Sequence, residues 1–293
     1  MALVVGATGV SFASILIRKS AAQPAAIAAY RLSLTVVLLI GPAVFLEKLH
    51  ALRMSRRDIA KSALSGAFLA AHFLSWITSL GYTSVASSVV LVSCHTLLIV
   101  FYTWATTGQM FNARAMAGVV VALVGTAVIG AKGWQAGAVE LLGDGLALLG
   151  AACMAAYCVI GRDVRQRVGV LSYVVLVYGT ASAILFGACL LLRVPIWPYP
   201  ASEWRIFWAL AMIPTLFGHT VFNWALRYVP AWAVSASTLG EPVGATVLAY
   251  VLLRESPGAA VVAGGIMVVV GLYTFLRNDV PQPRRMADVS HLE

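Results

Sequence analysis

The chain has little charge: only 11% of its 293 residues are Asp, Glu, Lys or Arg, whereas 61% are hydrophobic. A soluble domain of this length needs far more charged surface, so the composition excludes an ordinary globular fold and leaves a membrane protein. Reactive motifs are missing too. There is no HExxH, no pair of aspartates and no Ser–His pair at a recognisable spacing, which argues against an intramembrane enzyme. The four cysteines (Cys94, Cys153, Cys158, Cys189) lie in apolar runs without the close pairing of a zinc site, so they read as packing residues and no cofactor or metal is implied. The N-terminus lacks the pattern of a secretory signal or a transit peptide, so MALVVGATGVSFASILIRKS reads as a first span. A net charge of +9 could suggest nucleic acid, but the basic residues cluster between hydrophobic runs, where cationic loops orient membrane helices; no nucleic-acid partner is expected.

What remains is hydrophobic sequence in helix-length pieces. Hydropathy with charge and Pro/Gly punctuation gives ten segments, near 2–20, 24–46, 58–81, 84–106, 112–131, 140–161, 169–193, 204–228, 232–253 and 257–277. With a cytoplasmic N-terminus, thirteen of the 20 basic residues fall inside and seven outside, so both termini are assigned to the cytoplasm. Arg18 and Lys19, after an uncharged start, argue the reverse for the first span alone.

The sequence repeats itself at an offset of 146: Tyr82 matches Tyr228, Gly118 matches Gly264, Gly125 matches Gly271, and Gln109 falls opposite Glu255. At an offset of 144, Gly6 and Arg18 match Gly150 and Arg162. Recurrence in one order implies two halves of five spans, residues 1–131 and 140–277, followed by a cytoplasmic tail, 278–293. An odd number of spans per half inverts the second half. The expected fold is therefore an all-α membrane protein of ten transmembrane helices, built as two inverted five-helix repeats around a central cavity, a symmetry suited to alternating access.

Within the ninth segment, SASTLGEPVGATVLAYVLLRE carries a carboxylate, Glu241, near its middle. Lipid cannot solvate that group, which makes it a candidate functional residue. Pro242 offers no N–H to the Thr238 carbonyl, so the helix should bend or open there. A bend that only helps packing is the rival reading.

These residues resemble a known family. Tyr228, then Gly240-Glu241-Pro242, Leu253-Arg254-Glu255, Gly264 and Gly271 look like the second EamA-type repeat of the drug/metabolite transporter superfamily; the first half is similar through Lys19, Arg31, Gly118 and Gly125. Two positions depart from the pattern: Ser93-Cys94-His95-Thr96 replaces the mid-helix Pro, and Gln109 replaces the acidic corner. The resemblance implies a multi-pass transporter of the bacterial inner membrane. It is most similar to amino acid and metabolite exporters of the YddG kind.

Histidines lie inside three spans. His72, Trp76 and Ser79 fall at i, i+4 and i+7, and Thr215, His219 and Asn223 do the same, so each helix carries a polar stripe that would line a central cavity. A histidine bonded to a neighbouring helix carbonyl is an equal alternative for each alone. His95 lies opposite Glu241 under the repeat. Between them a zwitterion fits, the carboxylate taking an ammonium and the imidazole and hydroxyls taking the carboxyl end. Trp76, Tyr82, Tyr157, Tyr178 and Trp224 are expected as aromatic walls, and Trp104, Trp134, Trp197, Trp204 and Trp208 as interfacial belt residues. Arg31 and Lys19, near the outer end of a span, are expected to snorkel, with binding of an anion as the alternative.

The function read from the sequence is export of a small organic solute, an amino acid or related metabolite, across the lipid bilayer, with protons left open as coupling ion. Exchange of nucleotide sugars or phosphorylated metabolites is the alternative, and it calls for deep basic residues where this sequence places them near the rims.

Overall fold

The computed structural model describes residues 2–47, 54–108, 112–238, 240–254 and 256–278. The expected tail past Asn278 and the match of Gln109 with Glu255 lie outside the described residues. Every regular element among the described residues is helical, and six stretches are long and apolar enough to cross a membrane: Ala2–Lys19, Pro24–Leu46, Val85–Thr107, Ala138–Arg165, Val170–Leu191 and Ala201–Ala225. The protein is a multi-pass membrane protein.

The first stretch divides into α1 (Ala2–Ser11) and α2 (Ala13–Lys19); α3 (Pro24–Leu46) opens on a proline at its first turn, where the missing N–H costs nothing. Next, α4 (Arg56–Ser79) is capped by Ser55, whose hydroxyl accepts from the Asp58 N–H at 3.0 Å. The following stretch is broken into α5 (Val85–Val92) and α6 (His95–Thr107), although no proline is present. Ser93 Oγ donates back to the Val89 carbonyl at 2.8 Å, and Leu97 N bonds to Cys94 O at 2.9 Å, three residues back, which tightens and interrupts the helix. Gly108, at φ +64, terminates α6.

The chain continues through α7 (Ala113–Ala136), α8 (Ala138–Arg165), α9 (Val170–Leu191) and α10 (Ala201–Leu210). A π-helical segment, Ala211–Thr220, joins α10 to α11 (Val221–Ala225). Pro214 inside it offers no N–H to Leu210, and the ladder widens by one residue. The second broken stretch comprises α12 (Ala231–Ser237), α13 (Gly240–Leu248) and a π-helical turn, Ala249–Leu253; α14 (Ala259–Asn278) ends the described chain. The opening expected at Glu241-Pro242 is present: α12 stops at Thr238, whose carbonyl accepts from Glu241 N at 2.8 Å.

Helix α7 lies along α14 at very short range. A Cβ on Gly118 would run into the Gly271 carbonyl, and one on Gly125 would sit 2.7 Å from the Gly264 carbonyl. The pairing of 118 with 271 and 125 with 264 makes the two helices antiparallel. Elsewhere α4 packs on α8 and α9, α3 on α9, α1 on the π-helical segment and α13, and α5 and α6 on α8.

Polar contacts close the two ends of the bundle. At one end Arg167 bonds to Asp58 (2.8 Å) and Asp163 (3.1 Å), and Lys61 bonds to Asp163, tying the start of α4 to the end of α8. Beside them Glu47 accepts from the N–H groups of Leu171 (3.0 Å) and Ser172 (2.8 Å) and caps α9 from another helix. Burial works against the Glu47 charge, but the bonds from Ser172 and Leu171 outweigh it and hold the carboxyl below its usual range. At the other end Glu203 accepts from Ala21 N at 3.0 Å, and Tyr30 donates to the Ile196 carbonyl. Two arginines also hold turns. Arg18 donates to the Thr83 carbonyl at 2.8 Å, and Arg162 to that of Leu226.

Candidate functional site

The two helix breaks meet in the buried interior. His95 is the first residue of α6, and Glu241 follows the first residue of α13, so both side chains leave the start of a half-helix. Thr96 Oγ1 and Ser235 Oγ, 2.7 Å apart, join the breaks directly. Around them a cavity is lined by His72 and Trp76 from α4, His95, His219 from the π-helical segment, and Glu241, with Val10, Ala13, Val92, Met154, Phe222 and Thr238 completing the wall. The space left among them, about 20 Å³, admits roughly one water molecule, so the cavity is contracted around its polar groups.

The three histidines have defined supporting contacts. The ring nitrogen Nδ1 of His72 donates to the Gly150 carbonyl (2.9 Å), and that of His95 to the Val92 carbonyl (2.9 Å). His72 stacks on Trp76 with ring centres 5.9 Å apart and lies 6.5 Å from His219, whose edge meets the Phe73 ring at 5.3 Å. Three buried polar atoms of the lining have no hydrogen-bond partner: Trp76 Nε1, His95 Nε2 and His219 Nδ1. Buried polar groups are ordinarily satisfied, so their convergence with a carboxylate makes this cavity the candidate site for a polar solute.

The remaining sequence candidates fall elsewhere. Ser79 pairs with Ser88 (2.7 Å) behind the cavity, where both hydroxyls are buried. Asn223 donates to Tyr157 and Tyr178 and to the His219 carbonyl, so these three residues brace the His219 segment instead of lining the space. Tyr82, 41% exposed, lies just past the end of α4. Trp224, 44% exposed, packs on Tyr228 at 4.9 Å on the outer face. Trp104, Trp197 and Trp208 are likewise exposed, while the Trp134 side chain lies outside the described residues.

A further residue contradicts the sequence reading. Arg31 does not snorkel: it is 0% exposed, its Nε donates to Thr215 Oγ1 (3.1 Å), and its guanidinium carbon lies 4.2 Å over the Phe73 ring. Neither Nη atom has a hydrogen-bond partner. The expectation that the basic residues sit near the rims fails for this one.

Three comparisons bear on this arrangement. The model of the EamA-like transporter family matches residues 1–131 and 141–277. An uncharacterized transporter of Archaeoglobus fulgidus is 23% identical over 215 residues, which cover 72% of this chain and 73% of that protein. A solved crystal structure is similar at a TM-score of 0.73 and 20% identity, over 95% of this chain and 98% of that one, a likeness of fold alone.

Proposed function

The chain belongs to the EamA-like transporter family, and on that premise we propose that it exports amino acids, aromatic or hydrophobic ones foremost, or closely related metabolites, across the bacterial inner membrane by alternating access. The observation that carries the reading is the meeting of Glu241, three histidines and the Trp76 N–H in one aromatic-walled cavity at two helix breaks. Transport sites at mid-membrane are typically formed by interrupted helices of this kind. In its contracted state the cavity holds no organic solute, so passage requires the lining to part and re-form.

Two inverted halves of five crossings, 1–131 and 140–277, supply that motion in this reading. Support comes from the 146-residue offset, which relates His95 to Glu241, Gly118 to Gly264 and Gly125 to Gly271. Gly118 meets Gly271 and Gly125 meets Gly264, the reciprocal contacts of a two-fold axis, on antiparallel helices. Arg18 and Arg162, matched in sequence, latch matching turns.

A second reading is favoured by Arg31, because exchange of phosphorylated solutes calls for a deep basic residue. A dianionic phosphate beside Glu241 would need a further deep cation, and the cavity lining has none. Uptake of labelled amino acids and of a hexose phosphate into proteoliposomes, with and without a proton gradient, tests both. Saturable amino acid flux supports the proposal, and accumulation that follows the gradient adds proton coupling. Hexose phosphate flux alone would replace the proposal with the second reading.

A further inference from the structure

The amino acid reading gives the cargo's ammonium to Glu241 and leaves its carboxylate without a cationic partner among the described residues of the lining. His95, the sequence's choice, is no donor to a carboxylate while its ring is neutral. With Nδ1–H donated to the Val92 carbonyl, the neutral ring presents a lone pair at Nε2, which accepts. A carboxylate also only accepts, so the two repel, and His95 joins Glu241 on the side that takes N–H donors.

Free charged donors lie one layer behind the cavity lining. Arg31 is wholly buried, its Nε is fixed by Thr215, and both Nη atoms are unpartnered. None of the ion pairs among the described residues includes it. Native proteins rarely leave a buried charge unpaired, and the two Nη atoms of a guanidinium match the two oxygens of a carboxylate. Only one layer of rings intervenes: Phe73, under the guanidinium, touches His219, which lines the cavity with an unpartnered Nδ1.

We propose that Arg31 is the anion receptor of the transport site: its Nη pair, aimed by Thr215, takes the cargo's carboxylate when Phe73 and His219 part, while Glu241 takes the amine. The inference rests on the amino acid reading and narrows it to solutes that bear both groups. An amide or a simple amine lacks what Arg31 binds.

Binding of L-phenylalanine, L-phenylalaninamide and benzoate to the full-length protein in lipid nanodiscs tests this. Wild type should prefer phenylalanine to its amide by at least tenfold. Arg31→Gln should bring the ratio within twofold and abolish benzoate binding, whereas Glu241→Gln should weaken both amines and leave benzoate alone. Arg31→Lys keeps the charge and loses the fork, so it should lower the ratio at least threefold, and it carries the test where the glutamine variant does not fold. Failure of both amines with Arg31-dependent benzoate binding would sink the amino acid reading and uphold the receptor. A ratio or benzoate affinity indifferent to the Arg31 substitutions would overturn the receptor, as would wild-type protein that binds neither phenylalanine nor benzoate.

Discussion

Thr215→Val isolates one link between helix chemistry and the site. Thr215 Oγ1 donates to the Leu210 carbonyl (2.7 Å) and accepts from Arg31 Nε (3.1 Å), a geometry set by the widened ladder around Pro214. Valine keeps the shape, so no cavity term enters, but a wholly buried guanidinium loses its one hydrogen bond. A hydrogen bond to a charged group is worth about 1.5–3 kcal/mol in soluble proteins, whereas bonds between helices in a bilayer average about 0.6 kcal/mol. The Arg31 environment is dry and charged, which places the expected loss at about 1–2 kcal/mol. Thermal unfolding in detergent should show a drop of several degrees for Thr215→Val and near-wild-type behaviour for Thr215→Ser, which restores the hydroxyl. Equal stability of the valine and serine variants would refute the reasoning.

Gly118→Ala should destabilise by about 1–3 kcal/mol, because its Cβ meets the Gly271 backbone, which cannot swing aside; Gly265→Ala, with only Val90 Cγ2 at 3.7 Å, should fall within about 0.5 kcal/mol in the same unfolding assay. Glu47 has a depressed carboxyl, so its contribution is present above the unfolded-state value, about 4.3, and is lost as pH falls through the folded value. Glu47→Gln should therefore cost about 1 kcal/mol at pH 7 and less at pH 3, read by chemical denaturation at the two pH values. Trp76→Phe removes an N–H that lines the cavity and should weaken cargo binding about fivefold, whereas Trp224→Phe on the outer face should change it less than twofold, measured by equilibrium binding.

The ninth segment could be read from the sequence because its two unusual residues act locally: Pro242 removes an N–H wherever it stands, and a carboxylate in an apolar helix must be sheltered. The matching break at Ser93–Cys94 was hidden because it depends on a side chain bonding its own backbone, which composition does not reveal. Arg31 was misread for a different reason. Distance from a span end suggested snorkelling, but what settles the side chain is the neighbouring helix, and Thr215 is 184 residues away. Alanines at 25, 26, 28 and 29, all buried, were the available signal of a closely packed face. The stripe of His72 and Trp76 held at the helical spacing, whereas Ser79 found a partner on α5. Trp224 stands five residues from His219, on another face of the helix, and depth in the sequence could not reveal that it points outward.

Accessibility of the two half-helix starts tests the central claim most directly. Single cysteines at positions 95 and 241, placed in a chain whose four native cysteines are replaced by alanine, would be reacted in sealed vesicles with an impermeant thiol reagent added from each side in turn. The account predicts labelling of both positions from either side, slowed by bound amino acid at position 95, where Glu241 is intact. Reaction only with lipid-soluble reagents, or from one side alone whatever the substrate gradient, would contradict it.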